Sequence, residues 1–588
     1  MSQNRFLVVA ALALAFVSFV HAAVFEVAQR HSQANDGGPG TSERPWRTIS
    51  RAATNVAAGD TVIIRGGIYR ERVFVKSSGS ATAPIRFEAA AGEHVVVTGA
   101  DQLTSWQRVE GADPIYRTPW PHRFVAWSKA MTHPGDDHHR LIGRCEQVLI
   151  DGYLLRQVLG SNQLAPGTFF ADVTNKALFV WDVAGRNPSK TFTEASVRQE
   201  IFRVDGDFVQ LRGLNFRYAA NMAQHGAVVL AGNHDVMEDC VAEGMNSSGA
   251  AFTGESITAR RCAFRDNGQL GFGASRAHNL LFTECLVENN NAKDFSRGWE
   301  AGGCKLVLSR DVVLERSRFL RNRGNGVWFD IGNENCTVRQ CLIADNEDAG
   351  IFYEISYGLR AQDNVIVRNG FASTSGAWGA QAGVSLSSSP GCVIERNLIV
   401  GNREGFNFRE QQRTTPRIDD KKEIAVWNHD QIIRQNIIAL NRDAQVWGWF
   451  DMKDNRHWPA RSIDTQITPS AKTKPGDIAA AYAAKTSEGQ PTGLTLEKLK
   501  LSFSNNVYFA GPAQGGFNWG PSWGRHKRYS SLNEFSSELL IDVGGRVVDP
   551  AFEDVNALDF RLKREVMAGM RKCYPSGTVP GALLGEQQ

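Results

Sequence analysis

Charge of a single sign is scarce in this chain of 588 residues: 65 Lys and Arg stand against 62 Asp and Glu, a net of +3. Such a balance leaves no electrostatic footprint for nucleic acid and no polybasic patch for a membrane surface. Long apolar runs are scarce too. Only the opening stretch from Phe6 to Val20 is uninterrupted, and nothing later reaches the roughly 18 to 20 residues of a bilayer crossing, so no membrane span is expected. Cysteine is sparse and odd in number, nine in all, too thin for a disulfide-stapled scaffold. CxxC pairs and histidine clusters at ligand spacing are missing, so no metal site is expected.

What is present begins with Arg5, the apolar run, then His21, Ala22 and Ala23. A charged start, an apolar stretch and small residues read as a secretory signal over 1–22, which places the mature chain outside the cytoplasm, secreted or periplasmic.

From residue 240 a phrase recurs. Cys240, Cys262, Cys285, Ser317, Cys341, Asn364, Asn397 and Asn436 each precede a short apolar strand, at intervals of 22, 23, 32, 24, 23, 33 and 39. Five residues later stand Asn267, Asn290, Asn322, Asn346, Asn369, Asn402 and Asn441; only the first unit lacks its match. A unit of this length with a polar residue at each bend marks a solenoid. The cysteines then read as internal packing and not as disulfides or ligands, and the asparagines as residues able to take the left-handed backbone of a tight bend. A leucine-rich repeat would need LxxLxLxxN and a helical turn per unit; short β-branched runs fit parallel β-coils better. The long intervals mark coils with inserted loops, which in solenoids gather on one face, often the binding face.

Around this core the chain divides further. Residues 45–71 read as a short amphipathic helix and a strand that cap the open end of the first coils, within a segment 23–101. Over 102–200 the coil phase is lost and turn-punctuated strands predict an inserted antiparallel β-domain. The main solenoid spans 201–500, and a strand-rich segment over 501–588 folds back on it.

Two copies of the phrase end in acids: GVWFD at 326–330 and GIFYE at 350–354, with Asp330 and Glu354 24 residues apart. Strand alternation sends Val327, Phe329, Ile351 and Tyr353 inward and Trp328, Asp330, Phe352 and Glu354 outward. Strands ~4.8 Å apart bring the two carboxyls to about 5 Å, near the ~5 to 5.5 Å of a retaining glycosidase pair. Like charges this close push one carboxyl towards its neutral form, which suits Asp330 as nucleophile and Glu354 as acid/base. The plainer alternative is a solvated surface pair or a bound cation, but Trp328 and Phe352 are costly to expose unless they line a groove. The same register adds Lys305, Ser385, Ser387, Asn407 and Arg409 to the floor. Rim candidates on the long coils are Trp299, Glu300, Trp378, Trp427 and His429, with Trp519 and Trp523 in the tail.

The capped opening, the inserted β-domain, GWEAGGCK, GVWFD and GIFYE together resemble right-handed parallel β-helix proteins of the pectate-lyase-like group, and among them glycoside hydrolases of the β-xylosidase type. The resemblance implies an all-β, right-handed parallel β-helix solenoid, a plant- or algal-type carbohydrate substrate, and an Asp nucleophile and Glu acid/base at Asp330 and Glu354. Two other readings stay open. A polysaccharide lyase or uronan epimerase would use Lys305 and Arg409 to hold an enolate, with Glu300 or Glu410 helping to bind a cation. A non-catalytic carbohydrate-binding solenoid would use the same groove without turnover. No dedicated cofactor is required; a structural Ca²⁺, the oligomeric state and the sugar stay open.

Overall fold

A computed structural model describes residues 22–124, 144–372, 381–411, 413–451, 499–512, 514–521, 527–557 and 559–571. Three sheets of 13 strands each run the length of the molecule. Successive strands within a sheet come from successive coils and pair in parallel, except where Lys527–Tyr529 turns back antiparallel on Phe517–Pro521, so each coil is one rung with a strand on each of three faces. Inward side chains of all three faces, from Val27 to Trp519, meet in one continuous apolar core.

What sets the rungs in register is a column of buried amides. The Nδ2 of Asn267 donates to the Oδ1 of Asn290 at 3.0 Å, and the same bond runs on from Asn290 to Asn322, Asn346, Asn369, Asn402 and Asn441. Each Oδ1 also accepts the backbone N–H of the preceding asparagine, and each second Nδ2 hydrogen reaches a carbonyl, such as Phe319 O from Asn346. Every polar atom of the buried side chain is thereby matched, as burial demands. A second column, Cys240, Cys262, Cys285, Ser317, Cys341, Asn364, Asn397 and Asn436, lies at another of the three bends. All eight described cysteines are buried and unbridged. Burial pushes the thiols of Cys336, Cys341 and Cys392 up to about 12.

One expectation fails here. The ladder asparagines are not the left-handed residues; the residue just before each one is, as at Asp266 (φ 54°), Arg321 (52°), Asp345 (59°) and Arg368 (54°). Asparagine occupies its place for what its side chain bonds. The glycine that opens each phrase follows from the same column: a Cβ on Gly326 would stand 2.8 Å from Asn346 Nδ2, and one on Gly350 2.6 Å from Gly383 O.

The helix Ile49–Ala53 is capped by Thr48, whose side chain accepts from Arg51 N–H, and buries Ile49, Ala52 and Ala53 on the first rungs. Between Ala100–Gln102 and Thr193–Ser196 the chain leaves the solenoid for a four-stranded and a five-stranded sheet, antiparallel except where Arg156–Val158 meets Thr168–Asp172. These sheets enclose their own core of Trp120, Val148, Phe169 and Leu178. After residue 500, Leu501–Ser504, Val507–Phe509 and Phe517–Pro521 add further strands to the three faces. The helix Leu532–Leu539 closes that end, stacking Phe535 on Phe517 at 4.7 Å. Trp519 therefore belongs to the core, stacked with Phe408 at 6.0 Å, and not to a rim; Trp523 lies outside the described residues. The first 21 residues also lie outside them, and no helix among the described residues is long and apolar enough to cross a membrane.

Candidate active site

One face of the solenoid carries longer strands: β1 (Leu270–His278), β2 (Gly302–Val307), β3 (Asn325–Asp330), β4 (Ile351–Glu354), β5 (Ala382–Ser387), β6 (Glu404–Gln411) and β7 (Ala444–Asp451). Their register builds an outward row of Gly273, Lys305, Trp328, Phe352, Ser385, Asn407 and Trp447. A second row runs through Glu354, Ser387 and Arg409, with Asp330 one residue beyond the Phe329–Tyr353 pair and so beside Glu354. The alternating residues Val327, Phe329, Ile351, Tyr353, Val384 and Leu386 are fully buried in the core.

The outward rows are buried as well: Lys305 is 8% exposed, Asp330 8%, Glu354 3% and Arg409 1%. Insertions cover them. Phe295 and Trp299 in the loop before β2 close on Ala223 and Ala301. After β6, Arg413–Pro416 pairs with Glu423–Val426 in an antiparallel hairpin that folds back towards earlier rungs as a strap. Its far end is tied by Arg417 to Glu334 at 2.8 Å and by Asp419 to Arg310 at 2.8 Å.

Within this enclosure the two acids sit in different electrostatic settings. Asp330 Oδ2 meets Lys305 Nζ at 2.9 Å; the same ammonium meets Glu300 Oε1 at 3.0 Å and lies 4.2 Å from the centre of the Trp328 ring. Burial works against the ammonium, but Asp330 and Glu300 outweigh it and hold Lys305 above the ordinary lysine range. Glu354 moves the other way for an acid: burial and then the Asp330 charge push it up, against the pull of Arg413 and Arg409. Arg413 Nη1 donates to Glu354 Oε1 at 2.7 Å.

Several buried polar atoms on this floor have no hydrogen-bond partner among the described residues: Trp328 Nε1, Asp330 Oδ1, Ser385 Oγ, Ser387 Oγ and Asn407 Oδ1. Buried polar groups are ordinarily satisfied, so a row of unpartnered donors and acceptors beside two acids is a candidate place for a polar ligand. Three more buried polar residues, at or just before the starts of β4, β5 and β6, were marked by no sequence motif. Glu404, raised to about 7 by burial, accepts from Asn407 Nδ2 at 2.6 Å. Asp348, raised to about 6, meets Arg297 at 3.3 Å, and Gln381 lies at the head of β5. Arg413 was missed for another reason: it follows Glu354 by 59 residues, and only the 39-residue coil length signalled an excursion there.

Other candidates do not gather at the acids. Trp299 anchors its loop in a small apolar cluster. Trp427 packs on the main core with its ring 4.8 Å from that of His429, and His429 Nδ1 sits 2.6 Å from Asp430. Strand alternation puts Glu410 on the core side with Phe408, and its Oε2 accepts from Asn428 N–H at 2.8 Å. Glu300, by contrast, is held at Lys305, its Oε1 3.0 Å from the ammonium. Among the described residues no group of three or more His, Cys, Asp or Glu is placed to hold a metal. Trp378 lies outside the described residues.

A family model described as the right handed beta helix region matches residues 226–399. A curated relative, "Uncharacterized protein YwoF" from Bacillus subtilis (strain 168), is 45% identical over 65 residues; the match spans 11% of this chain and 14% of that relative's length. Among solved structures, the complex of XylC with xylose is similar at TM-score 0.61 and 17% identity, covering 90% of this chain and 87% of that one. The A-module of the Azotobacter vinelandii mannuronan C-5 epimerase AlgE6 is similar at TM-score 0.40 and 11% identity, over 85% of this chain and 91% of that one. The protein is thus an all-β, right-handed parallel β-helix.

Proposed function

We propose that this protein is a carbohydrate-active enzyme that hydrolyses glycosidic bonds with retention, Asp330 acting as nucleophile and Glu354 as acid/base. The observation that carries the reading is the unequal setting of two buried carboxyls on adjacent rungs. Asp330 has an ammonium partner at 2.9 Å, whereas burial and the neighbouring charge drive Glu354 towards its neutral form. In the first step a carboxylate oxygen of Asp330 attacks the anomeric carbon while Glu354 gives its proton to the departing glycosidic oxygen. In the second, Glu354 takes a proton from water, the water oxygen attacks the anomeric carbon, and the ester bond breaks with its electron pair returning to Asp330. The hydroxyls of Ser385 and Ser387, the amide oxygen of Asn407 and the indole N–H of Trp328 supply bonds for sugar hydroxyls. The Trp328 and Phe352 rings, 5.6 Å apart, supply an apolar face.

A lyase or epimerase would use Lys305 and Arg409 to hold the enolate of a uronate. Lys305 already meets two carboxylates, which weighs against that reading. The solved structure at TM-score 0.61 is a complex with xylose, so xylosides are the first substrates to try.

The test is aglycone release from aryl β-D-xylosides, α-L-arabinosides and related glycosides. Release by wild type, loss in Asp330→Ala, and a glycosyl azide of retained configuration from Glu354→Ala in azide would support both roles. Ultraviolet-absorbing products from uronate polymers, with no aglycone release, would move the chemistry to the lyase reading. Sugar binding without turnover, weakened in Asp330→Ala, would make it a binding solenoid.

A further inference from the structure

The strap is the part of the site that the proposed chemistry has not used. Arg413 reaches Glu354 from an inserted hairpin, and the same guanidinium meets Gln411 Oε1 at 3.3 Å. Beyond Arg413 the hairpin is pinned: Arg417 to Glu334, Ile418 N–H to Glu334 at 3.1 Å, and the Arg417 guanidinium 4.2 Å from the centre of the Tyr357 ring. A cation held this firmly beside a general acid poses a problem, because it favours the form that has already lost its proton.

We propose that Arg413 is a positioning residue for the second half of the reaction: it turns Glu354 from acid into base once Asp330 has become an ester. The inference rests on the retaining reading above. The charged groups that face Glu354 are Asp330 on β3, Arg409 on β6 and Arg413 on the strap, with Lys305 standing behind Asp330. In the free enzyme the Asp330 charge opposes Arg413 and Arg409, so Glu354 keeps its proton for the leaving group. Glycosylation converts Asp330 to a neutral ester, and the leaving group carries the proton away. Only Arg413 and Arg409 then act on Glu354 among these neighbours, and both favour the carboxylate that must draw a proton from water. Lys305, freed of half its partnership, keeps Glu300.

The experiment compares wild type, Arg413→Met and Arg413→Lys by two readouts. Titration of the Glu354 carboxyl, followed by ¹³C NMR with Glu354→Gln to assign it, needs no turnover. Loss of Arg413 should move that titration upward by about one pH unit or more, and the lysine variant should restore most of the shift. Stopped-flow release from an activated aryl glycoside should show a burst in Arg413→Met, because the glycosyl enzyme accumulates. Its kcat should fall about tenfold or more, while kcat/KM changes little and its alkaline limb shifts upward. An unmoved titration overturns the proposal, as does a shifted titration in an active enzyme with no burst and an undiminished kcat. If wild type cleaves no glycoside, the retaining reading fails and takes the second-half role with it, while the titration still reports whether Arg413 governs Glu354.

Discussion

Four carboxyls of this solenoid are equally hidden and behave in opposite ways. Glu238 is 3% exposed, Glu315 4%, Glu395 3% and Glu354 3%. The first three lie on the face whose outward row is built of ion pairs. Glu238 meets Arg212 at 2.7 Å and Arg260 at 2.5 Å, Glu315 meets Arg339 at 2.5 Å, and Glu395 meets Arg434 at 2.6 Å. Burial works against all three charges, but the arginines outweigh it and hold the carboxyls below the ordinary range. Those arginines form a single layer, 43 to 49% exposed, so solvent stays close to the charges they carry. Glu354 lies deeper, beneath an arginine only 26% exposed and beside a second acid. Exposure alone does not decide a carboxyl's affinity for its proton; the depth of cover and the balance of all the neighbouring charges do.

The comparison breaks first on turnover. If the Glu354 setting is catalytic, Glu354→Ala should lose roughly 10²- to 10⁴-fold in kcat with a substrate that needs acid assistance, while Glu395→Ala turns over at the wild-type rate. Equal losses in the two would remove the distinction between the faces.

The scaffold beneath both faces is the next largest effect. Asn346→Ala strands the amide of Asn322 and the carbonyl of Phe319, and should cost about 3 kcal/mol in chemical denaturation. A cost below about 1 kcal/mol would mean the amide column is incidental to stability.

On the ion-paired face the effect is smaller and depends on pH. Because the Glu238 carboxyl is lowered, its contribution is present above the ordinary carboxylate value and is lost as pH falls through the folded one. Glu238→Gln should cost about 1 kcal/mol at neutral pH, discounted for its half-exposed partners, and nothing in acid.

Glu354 should show the reverse slope, and the smallest change. Its raised carboxyl means that the folded state keeps a proton the unfolded state has already released, so stability falls as pH rises through that window. Glu354→Gln, whose amide oxygen can still accept from Arg413, should flatten the slope and raise the denaturation midpoint at neutral pH relative to acid. A parallel pH profile for wild type and variant would remove the inference that Glu354 is raised.

Much of this was legible before folding, because a solenoid repeats its geometry each time it repeats its sequence. The columns of Cys and Asn, the phase of GVWFD and GIFYE, and the alternation that sends Trp328, Asp330, Phe352 and Glu354 to one face all follow from period and strand pleat. Where the repeat stops, legibility stops with it. Coil lengths of 32 and 39 residues announced insertions but not their direction. The first brings Trp299 down as an anchor, and the second carries Arg413 back to Glu354. Trp519, in an aromatic-rich stretch outside the repeat, carries no periodic signal to separate rim from core, and it lies in the core. Glu404 and Gln381 open strands at positions where no motif distinguishes a site residue from a turn.

The sequence by itself therefore determined the rungs, their register and the pairing of two acids, because each depends on contacts between residues at one fixed phase. Tertiary structure decided whether that pair would be an exposed surface feature or an enclosed site. Cover, the ammonium on Asp330 and the guanidinium on Glu354 come from loops and coils whose placement depends on where whole segments pack, and no local period encodes that.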